Sequence, residues 1–131
     1  MKHLSDYIEE AQTVAFRNAG AFFAFSQRQF NEQKKTDTKY VNLGGGLICE
    51  KGREDQLCET LDKIAEDGIK QDVKENGKDA IIRRELFNHE CQITMSPEEC
   101  TRALKDYPIT EAEIFKAFPA FMQLCCDNDY F

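Results

Sequence analysis

The sequence predicts an α+β fold: a small antiparallel sheet of about three strands covered by five or six helices. Three observations predict it. Apolar residues recur at helical spacing through several segments that open on capping residues. Two short β-prone runs, Tyr40-Val41-Asn42-Leu43 and Leu47-Ile48-Cys49-Glu50, flank Gly44-Gly45-Gly46, the pattern of an antiparallel hairpin. The chain has 131 residues with ten Phe, four Tyr and no Trp, enough bulky material for one core. No linker, repeat or low-complexity tract divides it, so residues 1–131 read as a single compact domain.

Each element follows from local signals. The first helix begins near Ser5, read as its N-cap, and runs to about Asn18. Leu4, Ile8, Ala11 and Ala15 share a face, and Gly20 stops it. Ala21-Phe22-Phe23-Ala24-Phe25 is apolar throughout and only five residues long, which reads as a buried strand. Ser26 with Gln29 forms a capping box, and Phe25 and Phe30 hold the positions of a hydrophobic staple, so a short helix runs from Gln27 to about Lys34. Beyond the hairpin, Arg53 to about Lys74 is helical, with Leu57, Leu61 and Ile64 on one face and Gly68 expected to bend or divide it.

Asn76-Gly77 is a break. A helix then covers about Asp79 to Cys91 around Ile82 and Leu86, and Gln92-Ile93-Thr94-Met95 reads as a short extended segment. Ser96-Pro97-Glu98-Glu99 starts the next helix, with Cys100, Ala103, Leu104 and Tyr107 on one face. Thr110 with Glu113 repeats the capping box, and Ile109 with Ile114 repeats the staple. The last helix buries Ile114, Phe115, Phe118, Met122 and Cys125, and Pro119 is expected to kink it near Phe118.

Charge narrows the function classes. The net charge is −7, and it is uneven: six basic against five acidic residues over 1–44, six against nine over 45–78, five against ten over 79–131. No basic cluster could neutralise a row of phosphates, so direct nucleic-acid binding is not expected. The acidic C-terminal part favours a basic partner, or serves only solubility. No apolar run approaches the roughly 20 residues of a membrane span. Met1-Lys2-His3-Leu4-Ser5-Asp6 turns polar at once, unlike a signal peptide, so a cytoplasmic location is expected. Six cysteines at 49, 58, 91, 100, 125 and 126 form no C-x-x-C pair and read as free thiols, with Cys58, Cys91 and Cys100 as small core residues.

Candidate sites are few. Gly44-Gly45-Gly46 could cradle an anion through backbone N–H groups, but it leads into a strand rather than a helix and reads better as a flexible turn. Glu85 and His89 are four apart and could both reach a metal, with a cysteine as a further ligand or nucleophile; two residues do not make a site, and a surface or helix-end histidine is the plainer reading. Ser5, Ser26 and Ser96 are better explained as helix caps than as nucleophiles. No cofactor is expected, and an enzyme is not the favoured reading.

Two acidic features stand out. Asp127, Asn128, Asp129 and the terminal carboxylate of Phe131 follow a helix end, where the macrodipole opposes negative charge by about 0.3–1 kcal/mol per group. Tyr130 and Phe131 either pin this tail to the domain or, with Asp127 and Asp129, dock on a partner. The helix from Arg53 carries Glu54, Asp55, Glu59, Asp62, Glu66 and Asp67, interrupted by Lys63, Lys70 and Lys74. Such a face is commonly just solvated; alternatively Glu59, Asp62 and Glu66 imitate phosphates in a basic groove.

The phenylalanine-rich block from Ala21 to Phe30, the Leu43-Gly44-Gly45-Gly46-Leu47-Ile48 hairpin, Asn88-His89-Glu90 and the terminal Asp127-Asn128-Asp129-Tyr130-Phe131 resemble a family of small proteins encoded by bacteriophages and prophages. The family carries no catalytic motif, so no functional residue is transferred. The resemblance implies an origin in a mobile element, where small acidic proteins inhibit host defence, the anti-CRISPR proteins prominent among them. It implies as partner a bacterial defence protein, such as a CRISPR nuclease with its guide RNA. The competing expectations are a phage accessory enzyme or metal-dependent protein using Glu85, His89 and a cysteine, and an assembly protein that oligomerises through its phenylalanines.

Overall fold

The computed structural model describes residues 1–131. In chain order the elements are α1 (Leu4–Asn18), β1 (Phe22–Phe23), α2 (Gln27–Gln33), β2 (Tyr40–Asn42), β3 (Leu47–Glu50), α3 (Glu54–Asn76), α4 (Lys78–Asn88), α5 (Cys91–Thr94), α6 (Glu98–Ala103) and α7 (Glu111–Asn128). The α+β class and the three-stranded antiparallel sheet are as expected, with seven helices. The chain divides into two compact units, residues 2–68 and residues 69–131 with Met1, and the division falls within α3. No helix is long and apolar enough to cross a membrane.

In the unit of residues 2–68, the sheet order is β1-β3-β2, with Phe22 opposite Ile48 and Val41 opposite Cys49. The core is Ala15, Ala19, Cys49 and Leu57, packed by Phe16, Leu43, Leu47, Leu61 and Ile64. The cap of α1 is His3 rather than Ser5, because Asp6 reaches back to the His3 N–H at 2.8 Å. Two sequence readings change here. The Phe block is an edge strand of two residues and not a buried strand: Phe22 turns in to Tyr40 and Phe30, while Phe23 and Phe25 face outward. Phe25 therefore stacks on Phe23 at 6.2 Å instead of stapling Phe30. The Ser26 cap forms, but the Gln29 side chain takes the N–H of Phe25.

Gly68 does not divide α3, which is continuous from Glu54 to Asn76. Its missing side chain admits α1: a Cβ there would lie 2.3 Å from the Ile8 methyl group. Cys58, expected in the core, is exposed on the same helix.

In the unit of residues 69–131, α4 packs against α5, α6 and α7. Ile81, Ile82, Leu86, Cys91, Cys100, Leu104, Ile109, Ile114, Phe121 and Cys125 are buried. Of the segment expected to be extended, Gln92 to Met95, the first three residues belong instead to the short helix α5, which is bracketed by left-handed Glu90 and Met95. That turn stops α4 at Asn88, before Cys91. Thr110 and Glu113 close a full capping box on α7, and Pro119 lies inside that helix without interrupting it.

Candidate functional site

The site begins with how α7 ends. Asp129 adopts the left-handed conformation, φ 56 and ψ 48, so the N–H of Tyr130 bonds the Cys125 carbonyl at 3.0 Å and that of Asp129 bonds Cys126. This is a Schellman closure, which glycine makes with least strain. The chain places Asp there instead. The closure throws Tyr130 back over the unit, where its ring meets Phe87 edge-on at 6.0 Å and its carbonyl accepts the Gln92 amide at 3.1 Å. Phe87 is itself braced by Phe121 at 4.8 Å.

The tail is thus pinned, yet it stays outside. Tyr130 remains 48% exposed and Phe131 60%. Asp127, held by Gln123 at 2.8 Å, and Asp129 are exposed beside them. One of the two sequence readings does not displace the other: Tyr130 anchors the segment and the segment presents an acidic-aromatic surface. Buried Gln92 contributes an oxygen with no hydrogen-bond partner next to this anchor.

Glu59, Asp62 and Glu66 lie in the other unit, all exposed on α3. With Asp55 they follow the spacing four, three, four, so the four carboxylates form one stripe about 16 Å long at 1.5 Å rise per residue. Like charges at these spacings oppose the helix by about 0.2–0.5 kcal/mol per pair. Lys63 bridges Asp67 at 3.8 Å on this exposed surface.

Sequence reasoning missed the strongest electrostatic feature, a buried network in the unit of residues 69–131. The Asp72 carboxylate is fully buried and accepts both guanidinium nitrogens of Arg84 at 2.9 Å, the Tyr107 hydroxyl at 2.5 Å and the Asn76 amide at 2.7 Å. Burial pushes its carboxyl up, but these bonds together outweigh it and hold it below the ordinary range. Burial opposes the Arg84 charge, and Asp72 and Glu85 more than restore it. Tyr107 is raised by burial and then by its bond to Asp72.

Glu85 extends the network outward. It accepts Arg84 Nε at 2.9 Å and meets His89 at 3.4 Å. The expected Glu85–His89 pair therefore exists, but one Glu85 oxygen is committed to Arg84, and no group of three His, Cys, Asp or Glu gathers to hold a metal. The nearby buried thiols are poor nucleophiles: burial, followed by Cys91 and Glu85, pushes Cys100 up to about 12, and burial raises Cys91.

The chain matches a family model described as Family of unknown function (DUF7659) over residues 4–123, and it belongs to that family. No curated protein and no solved structure matches it.

Proposed function

We propose that this protein is a non-catalytic binding protein whose acidic-aromatic C-terminal segment docks on a basic surface of a partner protein. The observation that carries the reading is the end of α7. Tyr130 is fixed by Phe87 and Gln92, so the segment binds with little ordering cost, while Asp127, Asp129 and Phe131 face outward. An exposed aromatic anchor flanked by carboxylates is the make-up of an interface hot spot for a cationic partner. The buried charges support the absence of catalysis, because Asp72, Arg84 and Tyr107 are spent on one another.

The narrower form of the proposal is an inhibitor of a bacterial defence effector, a CRISPR nuclease with its guide RNA being the leading case. Its support is the resemblance of the Phe block, the glycine hairpin and the tail to phage-encoded proteins. The regular anionic stripe Asp55, Glu59, Asp62 and Glu66 suits a basic groove built for phosphates.

The test is an affinity pull-down of the tagged chain from host lysate with and without nuclease, followed by titration of the recovered partner. A stoichiometric partner that survives nuclease is expected, and Asp127→Lys with Asp129→Lys weakens its binding and flattens the salt dependence. Glu59→Lys with Asp62→Lys and Glu66→Lys reads the stripe separately. Recovery of no specific partner, or unchanged affinity in both sets, rejects the proposal.

A further inference from the structure

The closure at the end of α7 turns on one residue. Asp129, at φ 56, holds the left-handed conformation, where a side chain is strained and glycine is not. No basic residue stands in the last turn of α7 to offset Asp127 and Asp129 at the negative end of the helix. The turn is therefore made against both the backbone and the dipole.

Little holds it shut. The Tyr130 N–H meets the Cys125 carbonyl at 3.0 Å, but the Asp129 N–H reaches the Cys126 carbonyl only at 3.4 Å, long for a hydrogen bond. The Tyr130 ring touches Phe87 edge-on and stays half-exposed. The side-chain tie is the Gln92 amide, which donates to the Tyr130 carbonyl at 3.1 Å. The same amide keeps its oxygen buried without a partner, so the closed form forfeits on one atom of Gln92 what it gains on the other. Gln92 itself sits on α5, a helix of four residues between left-handed Glu90 and Met95.

We infer that the segment from Asp127 to Phe131 is a two-state clasp hinged at Asp129. Closed, it presents the Tyr130 ring and the two carboxylates on one surface. Open, Asp129 returns to an ordinary backbone region, Tyr130 leaves Phe87, and water reaches the Gln92 oxygen, while the body of α7 stays formed. The closure bonds, the ring contact and the Gln92 tie share one hinge, so they part together and not residue by residue. A regulatory consequence rests on the docking reading above. A cation seated at Asp127 and Asp129 offsets the dipole penalty and holds the clasp shut, so partner and closure favour one another, and apparent affinity scales with the closed fraction.

NMR relaxation dispersion and amide hydrogen exchange on the full chain test the clasp with no partner present. The backbone amides of Asp129 and Tyr130 and the side-chain amide of Gln92 are expected to report one exchange process with one open population, while the amides of Ile114 and Phe121 exchange only on unfolding. Asp129→Gly lowers that population about fivefold or more by removing the left-handed strain, and Asp129→Val raises it. Gln92→Met also raises it, with little change in Tm, because the tie and the unpartnered oxygen are lost together. Tail amides as protected as that of Phe121, a tail disordered throughout, rates graded residue by residue, or a population that Asp129→Gly leaves unchanged would each overturn the inference. These readouts need no partner, so their failure leaves the docking proposal standing, and failure to recover a partner leaves the clasp standing.

Discussion

Asp72→Asn is the sharpest probe of how the unit of residues 69–131 is held together. The substitution keeps the shape but replaces a carboxylate oxygen with an N–H₂ group that faces donors only: Arg84, Tyr107 or Asn76. Arg84, only 7% exposed, then keeps its charge after losing its bidentate partner, with the Glu85 carboxylate still against it. Removing one member of a buried pair costs about 3–5 kcal/mol, which takes up most of what four non-additive hydrogen bonds could contribute. With an unfolding entropy of about 2.1 cal/mol/K per residue over 131 residues, Tm falls by about 11–18 °C. Urea and thermal denaturation followed by far-UV CD measure it. The Asp72→Leu, Arg84→Met double variant should cost less than Asp72→Asn alone, because no buried charge is stranded. Acid adds a second readout. The folded Asp72 carboxyl titrates below its unfolded value, so its contribution is complete above about pH 3.9 and is lost as pH falls from there through the folded value. The variant lacks that part of the acid loss. A cost below about 1 kcal/mol, or a double variant as unstable as the single one, would refute the reasoning.

Gly68→Ala inverts the usual expectation for a helix interior. The propensity gain of about 1 kcal/mol is exceeded by forcing a Cβ to 2.3 Å from the Ile8 methyl, so stability drops by about 1–2 kcal/mol, and combining it with Ile8→Ala costs less than the two singles summed. Thiol labelling of the native protein should modify Cys58 and Cys126 rapidly and Cys49, Cys91, Cys100 and Cys125 only on unfolding; rapid labelling of a buried thiol would contradict the packing.

What the sequence disclosed was local. The glycine hairpin and the Thr110–Glu113 box each rest on residues within a few positions of one another, and each appears in the structure. The Ser96-Pro97 start appears one residue later than read, with Pro97 at the cap, α6 beginning at Glu98 and the Ser96 hydroxyl accepting the Glu98 N–H. The Phe block misled because an unbroken apolar run has no polar face to show which side turns outward; the outward side is set by the pairing of Phe22 with Ile48 across the sheet. The Asp72 network joins residues 12 and 35 positions apart, out of reach of window-based reading. A signal was nevertheless present. Leu57, Leu61, Ile64, Gly68 and Asp72 recur at helical spacing, so Asp72 continues a buried stripe, and a carboxylate in a core position demands a buried cation. The pinning of Tyr130 by Gln92, 38 positions away, gave no comparable sign.

The two populations of carboxylates in this chain obey opposite rules, and the contrast bears on the tail. Asp72 and Glu85 are paired, bonded and buried or nearly so, as folding requires. Asp127 and Asp129 stand where folding disfavours them: at the negative end of α7, the latter in a left-handed position that suits glycine. If these acids served the fold, removing them would weaken it. If they serve binding, Asp127→Lys with Asp129→Gly should raise thermal stability by about 1 kcal/mol while it weakens the partner complex, because the dipole then meets a cation and the Schellman turn loses its strain. A loss of stability in that variant would return the tail to a structural role.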